Sequence, residues 1–140
     1  MRPIPYLFFR GTCAEALTFY AEVFKSPPPQ LLRFSDLPSE AKSGMPGVPD
    51  DAIMHAALSI GDGQIYASDD PSGETPAMAG CNVNVSLPGP AEAEAAFAAL
   101  SEGGEVRMPI APTFFAPAFG TLTDRFGTRW MIMAEGDAGS

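Results

Sequence analysis

Cys81-Asn82-Val83-Asn84-Val85-Ser86-Leu87-Pro88-Gly89-Pro90, followed by Ala91-Glu92-Ala93-Glu94-Ala95-Ala96-Phe97-Ala98-Ala99-Leu100, decides how this chain is organised. The first part alternates apolar and polar residues without a break, the period of a strand with one buried face. Pro88-Gly89-Pro90 ends that alternation and leads into a helix, whose first turn tolerates proline because its amides are unpaired there anyway. Ala93, Ala96, Phe97 and Leu100 then share one helical face, and Gly103-Gly104 supplies the stop. Strand followed by helix is the unit to look for elsewhere.

It recurs near the start. Residues 4–9, Ile-Pro-Tyr-Leu-Phe-Phe, form an apolar and aromatic run of strand length closed by Gly11. Thr12-Cys13-Ala14-Glu15 has the form of a capping box, and Cys13, Leu17, Tyr20 and Phe24 follow at helical spacing until Ser26-Pro27-Pro28-Pro29. A shift of 77 residues lays Ala14-Glu15-Ala16 on Ala91-Glu92-Ala93, Tyr20 on Phe97 and Ala21 on Ala98.

The rest completes each copy. Residues 30–35 read as a strand, and 36–51, with three prolines and no periodicity, as a long loop of the kind that serves as a lid. Residues 53–60 and 64–68 read as a hairpin turning at Gly61-Asp62-Gly63, with His55 and Ser59 on one face of the first strand and Gln64, Tyr66 and Ser68 on one side of the second. Strands are expected at 105–108, 114–123 and 128–134, the last turn being Asp124-Arg125-Phe126-Gly127, where Asp124 reads as a turn former. The expected fold class is α+β: two β-α-β-β-β modules whose curled mixed sheet encloses a small-molecule cup. Residues 1–140 form a single domain, with modules over 1–68 and 81–136, a connector over 69–80 and a short tail over 137–140.

Composition limits the function. Hydrophobic residues make up 46% and charged residues 18%, a balance for a chain with an ample core. The formal charge of −9 and the lack of a basic stripe argue against nucleic acid. An acidic surface is repelled by anionic lipid, and no apolar run approaches the roughly 20 residues that span a bilayer. Met1-Arg2-Pro3-Ile4-Pro5 does not read as a signal peptide, and Cys13 and Cys81 read as small buried hydrophobes in a reducing compartment. A cytoplasmic protein is expected.

Several phrases resemble the PhnB-like branch of the vicinal oxygen chelate superfamily, which includes glyoxalase I, extradiol dioxygenases and the fosfomycin- and bleomycin-resistance proteins. They are Tyr6-Leu7-Phe8-Phe9 before Ala16-Leu17-Thr18-Phe19-Tyr20, then Ile53-Met54-His55-Ala56, Ala67-Ser68-Asp69-Asp70, Phe119-Gly120, and Leu122-Thr123-Asp124-Arg125-Phe126-Gly127 with Trp130-Met131. The resemblance implies paired modules forming a cup, commonly as a homodimer, with ligand or metal inside. Such proteins are sometimes labelled demethylubiquinone methyltransferases, yet this chain lacks the glycine-rich strand-to-helix turn that holds a nucleotide-like methyl donor.

Metal-using relatives draw His, Gln or Glu from the first and last strand of each module. On the 77-residue shift those positions hold Pro5 and Asn82 in the first strands, Tyr66 or Ser68 at the end of module one, and Met131 at the end of module two. A thioether is a poor ligand for the hard ions such a site uses, and the chain has a single histidine, His55. No resident metal and no nucleophile are expected, and the catalytic residues stay unassigned. A small-molecule ligand is expected against His55, Ser59, Gln64, Tyr66, Ser68, Asn82, Asn84 and Ser86, with Phe114, Phe115 and Trp130 as an apolar floor or rim.

The bland readings are that the polar faces meet solvent, that Phe114 and Phe115 belong to a core or dimer contact, and that Trp130 is packed. Three functions compete: metal-free binding or sequestration of a small, partly polar molecule; a divalent-metal-dependent lyase, isomerase or dioxygenase recruiting its ion through His55; and an interaction module whose cup is filled with side chains.

Overall fold

The computed structural model describes residues 1–136; the tail expected over 137–140 lies outside the described residues. The chain divides into two compact units between Pro76 and Ala77, inside the expected connector.

The first unit contains β1 (Tyr6–Phe9), α1 (Cys13–Val23), β2 (Gln30–Arg33), α2 (Ser39–Ser43), β3 (Ile53–Ile60) and β4 (Gly63–Asp69). Its four-stranded sheet has the order β1-β4-β3-β2, with β1 parallel to β4 and the other pairs antiparallel. Alternation fixes which side each residue takes. Leu7 and Phe9 of β1, Ala56 and Leu58 of β3, and Ile65 and Ala67 of β4 are buried, as are Cys13, Ala16, Leu17, Tyr20 and Ala21 of α1, which packs on β3 and β4. Fully burying a side chain such as Leu17 or Leu58 contributes roughly 1.5–3 kcal/mol.

The expected capping box does not form: Thr12 precedes α1 but makes no side-chain cap. Asp69, at the far end of β4, replaces it. Its buried carboxylate accepts the Cys13 amide at Oδ1 (3.0 Å) and the Ile53 amide at Oδ2 (2.9 Å). One side chain thus joins the starts of α1 and β3 to the end of β4, with its negative charge at a helix N-terminus, where it is favourable.

Two loop expectations are corrected. β2 stops at Arg33 rather than Ser35, because the Arg33 amide donates to Asp36 Oδ2 (2.9 Å) and residues 34–36 wind into one 3₁₀ turn. The loop over 36–51 contains a helical turn, α2, opened by Pro38 and carried by the helix formers Glu40, Ala41 and Lys42. Its base is pinned where the Phe34 and Ser35 amides donate to the carbonyls of Ala52 (2.8 Å) and Asp50 (2.9 Å).

The second unit repeats the plan with β5 (Val83–Leu87), α3 (Pro90–Ser101), β6 (Glu105–Ala111), β7 (Phe119–Thr123) and β8 (Arg129–Ala134), in the order β5-β8-β7-β6. Ala93, Ala96, Phe97 and Leu100 of α3 are buried, as are Val83, Leu122, Trp130, Ile132 and Ala134 of the sheet. Gly120 must be glycine: a Cβ there would meet Phe97 Cε2 at 2.7 Å and Ile110 Cα at 2.8 Å. Asp124 forms the turn expected of it and does more. Its Oδ1 accepts the amides of Phe126 (2.9 Å) and Thr128 (3.0 Å), and its Oδ2 the indole N–H of Trp130 (2.9 Å).

The second unit also departs from the expected strand bounds. β6 runs on through Pro109 to Ala111, because it is an edge strand and the proline lies within a register shift between Met108 and Ala111, where the regular ladder is already interrupted. Residues 114–118, expected as strand, are loop: Thr113 Oγ1 accepts the amides of Phe115 (3.4 Å) and Ala116 (3.1 Å) and turns the chain. Cys81 is exposed rather than buried, lying before the start of β5, whereas Cys13 is buried.

The 77-residue shift fits the helices, whose first residues are Cys13 and Pro90. The strands before them end at Phe9 and Leu87, a shift of 78, because a three-residue joint in the first unit matches a two-residue joint in the second. A slip of one residue inverts the sides of a strand. Pro5 and Asn82 are therefore not equivalent positions.

Candidate functional site

On the first sheet the residues pointing away from α1 form an aromatic surface around the chain's one histidine. Tyr6 and Phe8, which alternate with buried Leu7 and Phe9, are 42% and 57% exposed. Tyr6 lies cross-strand from Tyr66, and Phe8 from Ser68. On β3, His55, Ala57 and Ser59 point to this same side, Ala57 opposite Tyr66 and Ser59 opposite Gln64. The His55 ring lies 5.0 Å from Tyr66 and 5.8 Å from Tyr6, centroid to centroid, and Tyr6 is 5.2 Å from Phe8. Tyr6 Oη and His55 Nδ1 are 3.3 Å apart, a hydrogen bond that the phenol donates when the imidazole carries its proton on Nε2.

Of the residues expected here, His55 and Tyr66 are in ring contact, Ser59 and Gln64 pair beside them, and Ser68 is buried. Tyr6 and Phe8 escaped the sequence reading. Aromatic residues on both sides of Tyr6-Leu7-Phe8-Phe9 hide the alternation, so the run reads as buried throughout. Its period of two, set against Tyr66 and Ser68, was the available signal.

The corresponding face of the second sheet is different in kind. Asn84 and Ser86 of β5 lie cross-strand from Met131 and Met133 of β8, and Thr121 and Thr123 of β7 from Met131 and Arg129. Asn82 sits just before β5, where its Oδ1 accepts a hydrogen bond from Arg107 Nη2 (2.5 Å). Phe115 packs edge-on against Phe119 (5.0 Å) and Phe114 against Phe115 (5.2 Å), with Phe114 almost wholly exposed. Trp130 does not join this face. It alternates with Met131, is fully buried on the α3 side, and gives its indole N–H to Asp124.

The donor chemistry does not fit a divalent ion. Among the described residues no three of His, Cys, Asp and Glu gather closely enough to hold one. The buried carboxylates of Asp69 and Asp124 are committed to backbone amides and an indole, and His55 faces the phenols of Tyr6 and Tyr66. The thiol of Cys13 is pushed up to about 12, first by burial and then by the Asp69 charge, so it stays protonated.

The geometry can be set beside known proteins. The family described as 3-demethylubiquinone-9 3-methyltransferase matches residues 2–133. Protein YjdN of Escherichia coli K12 is 33% identical over 136 residues, 91% of each chain. The crystal structure of PA1353 from Pseudomonas aeruginosa is 40% identical, with a TM-score of 0.86 over 98% of this chain and 99% of that one. The PhnB protein of Bacillus cereus, itself described as a 3-demethylubiquinone-9 3-methyltransferase, superposes with a TM-score of 0.76 at 18% identity over 96% of this chain and all of that one. A glyoxalase/bleomycin resistance protein from Albidiferax ferrireducens shares the fold at 12% identity, with a TM-score of 0.62 over 95% and 98% of the two chains. With strand order, helix placement and full-length similarity in agreement, this chain belongs to the family described as 3-demethylubiquinone-9 3-methyltransferase and has the fold of the glyoxalase/bleomycin resistance proteins.

Proposed function

We propose that this protein binds a small, partly polar organic molecule against the open faces of its sheets, without a resident metal ion. The observation that carries the proposal is the surface made by Tyr6, Phe8, His55 and Tyr66, where large apolar side chains stay accessible and a phenol and an imidazole offer hydrogen bonds. Exposed aromatic groups beside a few fixed polar ones are the ordinary composition of a ligand site. The reading includes one domain over the whole chain, assembly as a homodimer, a cytoplasmic setting and no nucleic-acid partner. It is compatible with the finding that no helix among the described residues is long and apolar enough to cross a membrane.

Methyl transfer, the activity in the family's description, is not part of the proposal. The two strand-to-helix joints, Arg10-Gly11-Thr12 and Pro88-Gly89, each hold a single glycine and offer no phosphate-cradling turn.

The test is a thermal-shift screen of small aromatic and polar compounds, with native mass spectrometry and elemental analysis of protein purified without chelator. A stabilising compound whose effect falls at least about tenfold in affinity in both Tyr66→Ala and His55→Ala is the expected result. Stoichiometric Mn, Ni, Fe or Zn would overturn the metal-free reading. No retained molecule and no stabilising compound would shift the assignment to an interaction module.

A further inference from the structure

Two of the eight basic residues of this acidic chain meet on the open face of the second sheet. Arg107 leaves β6 at a register shift, and its guanidinium is held at three points: Nε donates to Thr123 Oγ1 (3.2 Å), Nη2 to Asn82 Oδ1 (2.5 Å) and to the Leu122 carbonyl (2.9 Å). Arg129 is the cross-strand neighbour of that same Thr123, and its Nε donates to the carbonyl of Cys81 (3.1 Å), the residue preceding Asn82. Every one of these acceptors is neutral. Arg107 Nη1 and both terminal nitrogens of Arg129 have no hydrogen-bond partner among the described residues.

Both side chains are partly exposed, and like charges held close together disfavour one another. Burial and then the Arg129 charge lower the pKa of Arg107, and Glu105, an exposed residue opposite Thr123, only partly offsets this. A pair of cations fixed by neutral groups, with donors left over, is arranged for an anion supplied from outside. Guanidinium favours oxyanions because its planar fork matches two oxygens at once.

We propose that Arg107 and Arg129, steadied by Asn82 and Thr123, form an oxyanion-recognition site that takes the carboxylate or phosphate group of a small organic anion. The proposal names the ligand chemistry for the second sheet and rests on the small-molecule reading above. The site is local: with a formal charge of −9 the protein as a whole repels anions, so saturable binding reports these two side chains and not general attraction.

The experiment is titration calorimetry of the full chain at low ionic strength with inorganic phosphate and, separately, succinate. Saturable binding of either supports the proposal, and the one that binds identifies the group. Arg129→Gln and Arg107→Gln should each weaken binding at least about tenfold, and Arg129→Lys should recover part of the loss. Lys25→Gln, which removes one positive charge from the first unit, should leave affinity unchanged. Thermal melts of each variant verify folding, and the two arginines give independent reports.

The proposal is overturned if neither anion saturates, if both glutamine variants bind within about twofold of the parent, or if Lys25→Gln weakens binding as much as they do. A neutral compound that still binds through Tyr66 and His55 while both anions fail would sink the oxyanion site and leave the binding reading standing. Failure of both would remove the two together.

Discussion

Tyr6, Phe8, His55 and Tyr66 cover the open face of the first sheet, whereas Asn84, Met131, Thr123 and Arg129 occupy the same side of the second. Beneath these faces the two units are built alike, each with a strand, a crossover helix and three further strands, and each with a buried carboxylate accepting amide hydrogens. Repetition of the scaffold therefore does not enforce repetition of the surface. Helix-side residues are held by packing, where a change of one methylene is felt, while outward-facing residues on the same strands are free to diverge.

The likeness of the two units is tested most severely by removing their buried carboxylates. Asp124→Ala strands two amides and an indole N–H, and should cost roughly 3–9 kcal/mol in urea unfolding, given about 1–3 kcal/mol for each unsatisfied buried donor. Asp69→Ala strands two amides and should cost roughly 2–6 kcal/mol on the same rule. If one variant melts like the parent, the carboxylates are not equivalent supports, and the likeness of the units ends at topology.

The cysteines give the next contrast. Under native conditions Cys81 should react with a disulfide reagent at least about 100-fold faster than Cys13, because the exposed thiol is reached without local opening, whereas burial and the Asp69 charge keep Cys13 protonated. Equal rates by mass spectrometry would mean that α1 opens readily.

The smallest effect concerns Asp70. Hydrogen bonds from Thr75 and Ser72 hold its carboxyl well below the usual carboxylate range. A lowered folded-state pKa stabilises above the unfolded value of about 3.9, and that stabilisation is lost as pH falls through the folded value. The melting temperature of Asp70→Asn should thus sit slightly below the parent at pH 7 and converge with it in strong acid. Identical melts at pH 7 would remove the Asp70 hydrogen bonds from the account of the connector.

Much of this fold is legible in the sequence, because β3, β5 and α3 carry clean periods, and a period of two or 3.6 states both element and buried side. What stays hidden is non-local. Nothing near Thr12 announces that Asp69, 56 positions beyond Cys13, will cap α1, so a local capping box is the natural and mistaken inference. The candidate site is split in the same way. His55 and Tyr66 come from alternating strands and are readable, whereas Arg107 meets Asn82 only through the bulge in β6, which no local pattern encodes.

Pro109 has a consequence beyond its own strand. β6 is an edge, with Val106 and Met108 exposed on it, and a regular edge of that composition would template a strand from another molecule. A residue without an amide proton, lying within a register shift, interrupts the row of donors that an incoming chain would need. The irregularity that aims Arg107 toward Asn82 therefore also guards the protein against aggregation along that edge.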